Sequence, residues 1–200
     1  MPYSKKTWAK IISFALNPDI LISLILIIGI SYTPATVANR FYASFAIIIF
    51  NYFLLLYWRR LLEETGIRID DTLKNKTVQK MRVIVLMPEF LIYIAETALV
   101  AQFGSTQPIF AIMLSLITIA VLSGLISIFW KISAHAEGFI FLVAVLSFYI
   151  SPIYWSLIGV LPIIWWARLA LDRHTPTQLA MGTLVPPVVT YIIFQYFNLI

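Results

Sequence analysis

The sequence contains no cysteine and few charged residues. Asp, Glu, Lys and Arg make up 12% of its 200 residues, against about 25% in an average soluble domain. The lack of cysteine excludes disulfides, thiolate nucleophiles and cysteine-ligated metal sites. Hydrophobic residues reach 61% and the mean hydropathy is +0.92. A soluble core of this size cannot hide so much apolar surface, so we expect an integral membrane protein with the lipid bilayer as its solvent.

The positive charge of the chain does not indicate a nucleic-acid partner. The formal net charge is +5, but no basic stripe is interleaved with exposed aromatic residues, so we expect no nucleic-acid binding. The 15% aromatic content is typical of side chains that anchor a membrane protein at the lipid–water interface.

Apolar runs occupy most of the chain and predict a polytopic, all-α transmembrane helical bundle of six to seven spans. No internal repeat or second domain is visible, so residues 1–200 are predicted to form a single domain. A helix needs roughly 20 apolar residues to cross a bilayer. The predicted runs, some of them short for a full span, cover residues 18–35, 41–58, 83–102, 108–130, 136–150, 153–170 and 179–197.

Prolines and polar residues predict where these runs bend and end. Pro162 and the Pro186-Pro187 pair lie inside predicted spans and are expected to kink them. The longest polar stretch, residues 59–82, is predicted to be a solvated connection between two spans.

Only two histidines occur, His135 and His174, and each lies in a polar break between apolar runs. Histidine is the side chain that can attack phosphorus, protonate a leaving oxygen or bind a metal near neutral pH. Two predicted spans separate the polar stretch 59–82 from His135, and two more separate His135 from His174. An even number of crossings returns the chain to the same face, so these groups are predicted to meet at one membrane surface.

Two carboxylates in the third run, Glu89 and Glu96, are seven residues apart and share a helical face with Tyr93. Intramembrane carboxylates are functional candidates. The sequence leaves two interpretations open. They either line a polar headgroup cavity or pair with a cation, for which the candidates are Arg82, Arg168 and Lys131.

The polar breaks carry two motifs that resemble those of a known family. Ser133-Ala134-His135 resembles the second motif, and Arg168 followed by His174 after five residues resembles the third motif, of the type 2 phosphatidic acid phosphatase superfamily. That superfamily includes lipid phosphatases, acid phosphatases and vanadium haloperoxidases. The resemblance covers roughly residues 130–182.

The chain departs from the family pattern at three places. Ala134 stands where the family's Pro-Ser-Gly-His motif has glycine, and Gln178 stands where the third motif closes with aspartate. The first motif, Lys-x6-Arg-Pro, is degenerate here and is represented by Lys76, Lys80 and Arg82, with no proline after the arginine.

The resemblance implies a metal-independent lipid phosphate phosphatase that needs no cofactor. His174 would attack phosphorus, His135 would act as general acid and then general base, and Gln178 would take the orienting aspartate's place. The implied phosphate-binding residues are Arg168, Ser133, Ala134, Arg82, Lys76 and Lys80. Glu137, Asp172 and Glu89 are candidates to compensate for the missing aspartate, and Glu96 is a further candidate near the site.

The implied substrate is a membrane lipid phosphate, of the phosphatidate or polyprenyl phosphate type, with vanadate or phosphate as a ligand of the same site. Two other functions remain open on the sequence. One is a catalytically impaired homologue that binds phospholipid headgroups, which Gln178 and the degenerate first motif favour. The other is a small transporter that uses Glu89 and Glu96 as its polar pathway.

The distribution of basic residues predicts the orientation. If all seven runs cross, every Lys and Arg except Arg40 lies on the face that carries the histidines. Because cytoplasmic loops are enriched in Lys and Arg, this face is predicted to be cytoplasmic. A reporter inserted between residues 63 and 76 should therefore be cytoplasmic, and one fused after Ile200 should be external. The opposite pattern would place the histidines outside.

Overall fold

The structure, a computed structural model, describes residues 4–64, 76–102 and 107–200, with side chains throughout these ranges except at positions 56, 59, 63 and 76–86. The described residues form helices and no strand. The α-helices are α1 Lys5–Ala15, α2 Pro18–Ser31, α3 Val37–Ile48, α4 Leu55–Glu64, α5 Lys76–Gln102, α6 Gln107–Phe129, α7 Ala134–Val145, α8 Leu161–Ala170 and α9 Pro176–Tyr196.

Three further helical segments extend or join the α-helices. Ile49–Leu54 is a π-helical segment between α3 and α4, Leu146–Ile150 is a π-helical segment after α7, and Pro152–Val160 is a 3-10 helix that leads into α8. Several apolar runs of the sequence are therefore built from more than one type of helical turn.

Five helical stretches in the described part of the chain are long and apolar enough to cross a membrane: Lys5–Ser31, Val37–Leu54, Gln107–Phe129, Pro152–Ala170 and Pro176–Tyr196. Ala134–Ile150 is a shorter apolar helix. Large apolar side chains are strongly exposed on the outside, such as Val37, Phe129 and Tyr196. The chain is therefore a helical, multi-pass membrane protein, as expected from its hydropathy.

Helix α7 is the centre of the bundle. All its residues from Ala136 to Val145 are buried, and it packs against α2, α8 and α9. A helix that is apolar on all sides must be surrounded by other helices or by lipid. The first turn of α7 is less enclosed, since Ala134 is exposed and His135 is partly buried.

Two glycines allow close packing around α7. A methyl group added at Gly182 of α9 would lie 2.8 Å from the backbone oxygen of Ser133. One added at Gly138 of α7 would lie 3.0 Å from Cβ of Pro18 at the start of α2. Small residues permit this approach between membrane helices. They bring the start of α7 against both α2 and α9.

Helix boundaries differ from the sequence prediction at the polar stretch 59–82. We predicted a solvated connection, but α4 continues to Glu64 and α5 begins at Lys76. Charged residues are compatible with helical backbone, and hydropathy alone does not show where a helix ends. Residues 65–75 lie outside the described residues.

The N-terminal segment also differs, because α1 forms a separate helix before the first predicted run. Ser4 caps its start by accepting a hydrogen bond from the backbone N–H of Thr7. Asn17 then caps α2 by accepting from the N–H of Asp19 at 2.8 Å, with Pro18 in the first turn. Asparagine before proline is a strong signal for a new helix start.

The three prolines lie inside helical stretches, as the sequence placed them. Pro162 lies within the stretch Pro152–Ala170, in the first turn of α8 directly after the 3-10 helix. Pro186 and Pro187 lie within α9. The expected kinks stay a prediction.

Replacing Gly182 with Ala tests the α7–α9 contact. The added methyl group meets backbone, which cannot rotate away, so we expect a loss of roughly 1–3 kcal/mol and a lower midpoint of thermal unfolding in detergent. Gly124→Ala is the matched control, because no described atom outside its own helical turn lies within 4 Å of the added methyl group. Equal midpoints for the two variants would contradict this packing.

Candidate active site

One cavity of about 490 Å³ is lined by both histidines and by four of the charged residues singled out in the sequence: Arg168, Lys131, Glu89 and Glu137. His135, His174 and Arg168 line it together. Further cations in its lining are Lys10, Lys131 and Arg173, and its carboxylates are Asp19, Glu89 and Glu137. The volume lies within the roughly 300–1,000 Å³ range of small-molecule sites.

The turn between α8 and α9 determines where Arg168 and His174 lie. The N–H of Arg173 donates to the carbonyl of Arg168 at 3.1 Å, and the N–H of Asp172 donates to that of Leu169 at 3.0 Å. Asp172 has φ 55°, so these bonds form a Schellman motif with Asp172 in the left-handed position usually held by glycine. The chain reverses there, and both Arg168 and His174 become cavity residues.

Arg168 and His174 are almost completely buried, with 2% and 5% of their surface exposed. Burial of a charged guanidinium costs several kcal/mol unless polar or anionic groups surround it. A hydrogen bond also joins the helices on either side of this connection: Nε1 of Trp165 in α8 donates to Oγ1 of Thr183 in α9 at 3.2 Å.

His135 lies in the first turn of α7 and is partly buried. Its Nε2 is 3.1 Å from the backbone oxygen of Ser13 in α1. Ala134 lines the cavity, whereas Ser133, the N-terminal cap position of α7, is fully buried beside Gly182. Among the described residues, Oγ of Ser133 has no hydrogen-bond partner.

Gln178 has a structural role at the start of α9. Its side-chain oxygen accepts a hydrogen bond from the backbone N–H of Thr175 at 3.1 Å, and the Thr175 hydroxyl accepts from the N–H of Gln178. This is a reciprocal capping box. It fixes the residue that directly follows His174, while the predicted orienting contact with the imidazole stays a prediction.

The two carboxylates of α5 have different surroundings. Glu89 lines the cavity with Tyr93. Glu96 does not line it in the described structure; it is fully buried and accepts a hydrogen bond from the side-chain amide of Asn51, in the π-helical segment. Helical periodicity places them on one face of α5, but seven residues separate them by about 10 Å along the helix axis, so they meet different neighbours.

Glu137 also lines the cavity and is buried. Its carboxylate accepts a hydrogen bond from the hydroxyl of Ser123 in α6. This contact connects α6 to α7 two residues after His135.

The cations proposed for the degenerate first motif fall outside the described side chains. Lys76, Lys80 and Arg82 belong to helix α5, but their side chains lie outside the described residues. Lys131 lines the cavity and is 8% exposed, whereas from the sequence we expected it only as a possible partner for a carboxylate. Its position in the sequence, between the end of α6 and the motif that begins at Ser133, was the signal that could have indicated a cavity residue.

Two cavity residues of the N-terminal helix α1, Lys10 and Ser13, were not predicted from the sequence. Both line the cavity from α1. Their sequence surroundings resemble an ordinary basic segment before a membrane span, and nothing in local periodicity indicates that α1 packs against α8. Contacts between residues far apart in the sequence were needed to find them.

Other parts of the described chain bring together fewer groups that could react with or bind a ligand. An open groove of about 680 Å³ beside Trp165 and Trp166 is apolar apart from Lys5. No group of three or more His, Cys, Asp or Glu side chains among the described residues is arranged to hold a metal ion.

Comparisons with known proteins identify no family for the chain: no protein-family model matches it, and neither a curated protein nor a solved structure matches it.

The left-handed turn before His174 gives a stability prediction. Asp172→Gly should keep or raise the thermal midpoint, whereas Asp172→Val should lower stability by roughly 1–2 kcal/mol, because a β-branched residue tolerates left-handed backbone much less well than aspartate does. Asn198, with φ 53° at the end of α9, provides the matched pair Asn198→Gly and Asn198→Val. A valine at position 172 that leaves the midpoint unchanged would contradict the strained turn.

Proposed function

We propose that the chain is an integral-membrane lipid phosphate phosphatase that resembles the type 2 phosphatidic acid phosphatase superfamily. One observation carries the proposal: His135, His174 and Arg168, which lie on different helices or connections, line the same cavity. A nucleophile, a proton donor and a fixed cation are the groups that phosphoryl transfer through a phosphohistidine requires.

The first chemical step would transfer the phosphoryl group to the protein. An imidazole nitrogen of His174 attacks phosphorus, the P–O bond to the lipid breaks, and protonated His135 gives its proton to the leaving oxygen. Arg168 neutralises charge on the non-bridging oxygens. The backbone N–H groups at the start of α7 add partial positive charge near Ala134.

The second step would regenerate the enzyme. His135, now neutral, takes a proton from water, and the resulting hydroxide attacks the phosphohistidine. The P–N bond breaks, inorganic phosphate leaves, and His174 and protonated His135 are restored. Lys10 and Lys131 supply further positive charge in the cavity lining.

The lining of the cavity supports a lipid substrate rather than a free sugar or nucleotide phosphate. Beyond its polar groups, the wall includes the apolar side chains of Phe14, Ile22, Leu116, Ile119 and Phe141. A phosphate bound near Arg168 would therefore have its ester substituent against apolar surface. Phosphatidate and polyprenyl mono- or diphosphates meet this requirement. On the distribution of Lys and Arg, the active-site face is proposed to be cytoplasmic.

The decisive test is phosphate release from detergent-solubilised lipid phosphates with EDTA present. We expect wild-type protein to release phosphate and His174→Ala to release none above background. His135→Ala should be slower by roughly 10²–10⁴-fold, the usual contribution of general acid–base catalysis. Gly124→Ala serves as the folded control and should retain full activity. Equal release by wild type and His174→Ala would contradict the proposal.

Binding without turnover would favour the second candidate, an impaired homologue. The capping bond of Gln178 to Thr175 is the observation in its favour, because the family's aspartate is replaced by an amide that caps a helix. Vanadate binding measured by calorimetry, together with no phosphate release from any lipid, would be the expected result for that function.

A further inference from the structure

Ser13 of α1 contacts two of the proposed active-site residues. Its backbone oxygen is 3.1 Å from Nε2 of His135, and its hydroxyl accepts a hydrogen bond from Nη1 of Arg168 at 3.3 Å. These residues are 122 and 155 positions away in the sequence. A single position thus joins α1 to the start of α7 and the end of α8.

The contact with the Ser13 carbonyl fixes which nitrogen of His135 carries a proton. A carbonyl oxygen can only accept a hydrogen bond, so Nε2 must be the donor. When the ring is neutral, Nδ1 is then the basic nitrogen, and when it is charged, Nδ1 is the site that loses the proton. Selection of the tautomer by a backbone carbonyl is a common way to orient histidine.

The contact with the Ser13 hydroxyl fixes the direction of the Arg168 guanidinium. Arg has five N–H donors in a rigid plane, so one anchored nitrogen restricts the orientation of the remaining donors. A hydroxyl acceptor leaves the positive charge in place, because it does not neutralise the cation as a carboxylate would. The contact thus holds the plane of the Arg168 guanidinium relative to α1.

We propose that Ser13 is a positioning residue: it sets the tautomer of His135 through its carbonyl and the orientation of Arg168 through its hydroxyl, so that α1 forms part of the active site. This inference rests on the proposed phosphatase function. It also explains why Lys10 and Phe14 of the same helix line the cavity.

A matched pair of variants isolates the hydroxyl. Ser13→Thr and Ser13→Val have nearly the same shape and the same β-branching, but only threonine keeps the acceptor. We expect Ser13→Val to lower kcat/KM about tenfold, as for loss of a hydrogen bond to a charged group, and Ser13→Thr to remain within about threefold of wild type. Both should have the same thermal midpoint, which a purely structural role would not predict.

The carbonyl contact is tested by ¹⁵N NMR of histidine-labelled protein in detergent. Only two rings give signals, and His174→Ala identifies that of His135. At a pH where the ring is neutral, we expect a protonated Nε2 and an unprotonated Nδ1. A ring protonated at Nδ1 would overturn the carbonyl part of the inference.

Failure of this inference is separable from failure of the proposed function. If wild type releases phosphate but the threonine and valine variants are equally active, the function stands and the role of the Ser13 hydroxyl is wrong. If wild type releases none, the affinity of each variant for inorganic phosphate is measured by calorimetry in place of kcat/KM. Weaker binding by Ser13→Val than by Ser13→Thr supports the inference. Equal binding, or no binding at all, overturns it.

Discussion

The close approach of α9 to the start of α7 is the contact on which the polar end of the bundle depends. Gly182 lies so near the backbone of Ser133 that a single methyl group would reach the carbonyl oxygen. This contact places the segment Ser133–His135 directly beside the helix whose first residues follow His174. This packing brings two histidines that are far apart in the sequence to one cavity.

Polar contacts between helices help to specify which helices pack together in this bundle, whose outer surface is apolar. In lipid, the hydrophobic effect gives little preference for one helix pairing over another, so side-chain hydrogen bonds and close packing must specify it. Ser123 with Glu137, Trp165 with Thr183, and Asn51 with Glu96 each join two elements. Of these contacts, the one between Ser123 and Glu137 lies in the cavity lining, Trp165 lines the apolar groove, and the bond between Asn51 and Glu96 joins the π-helical segment to α5.

The sequence predicted the type of fold and many cavity residues because those signals are local. Apolar runs give helices, and histidines in polar breaks identify helix ends. The polar stretch 59–82 shows the limit of hydropathy, since parts of it are helical. Ser13 and Lys10 were missed because their role depends on how α1 packs against α8, which is a property of tertiary structure.

Gln178 illustrates a different limit. Its position relative to His174 indicated a catalytic substitution, while the pattern Thr175-Pro176-Thr177-Gln178 is equally a helix-capping sequence. The same four residues fit both interpretations. Hydrogen-bond geometry shows the capping role directly, and the catalytic role is tested by measuring activity.

The short helix α1 also constrains how the N-terminal part of such a chain can vary during evolution. Each added or deleted residue in an α-helix rotates all positions beyond it by about 100° and shifts them by 1.5 Å. Lys10 and Ser13 lie three residues apart within α1, and both line the cavity. An insertion between them would rotate one relative to the other, so that they would no longer face the cavity together. Chains that keep this site are therefore expected to tolerate substitutions there, but not changes in length.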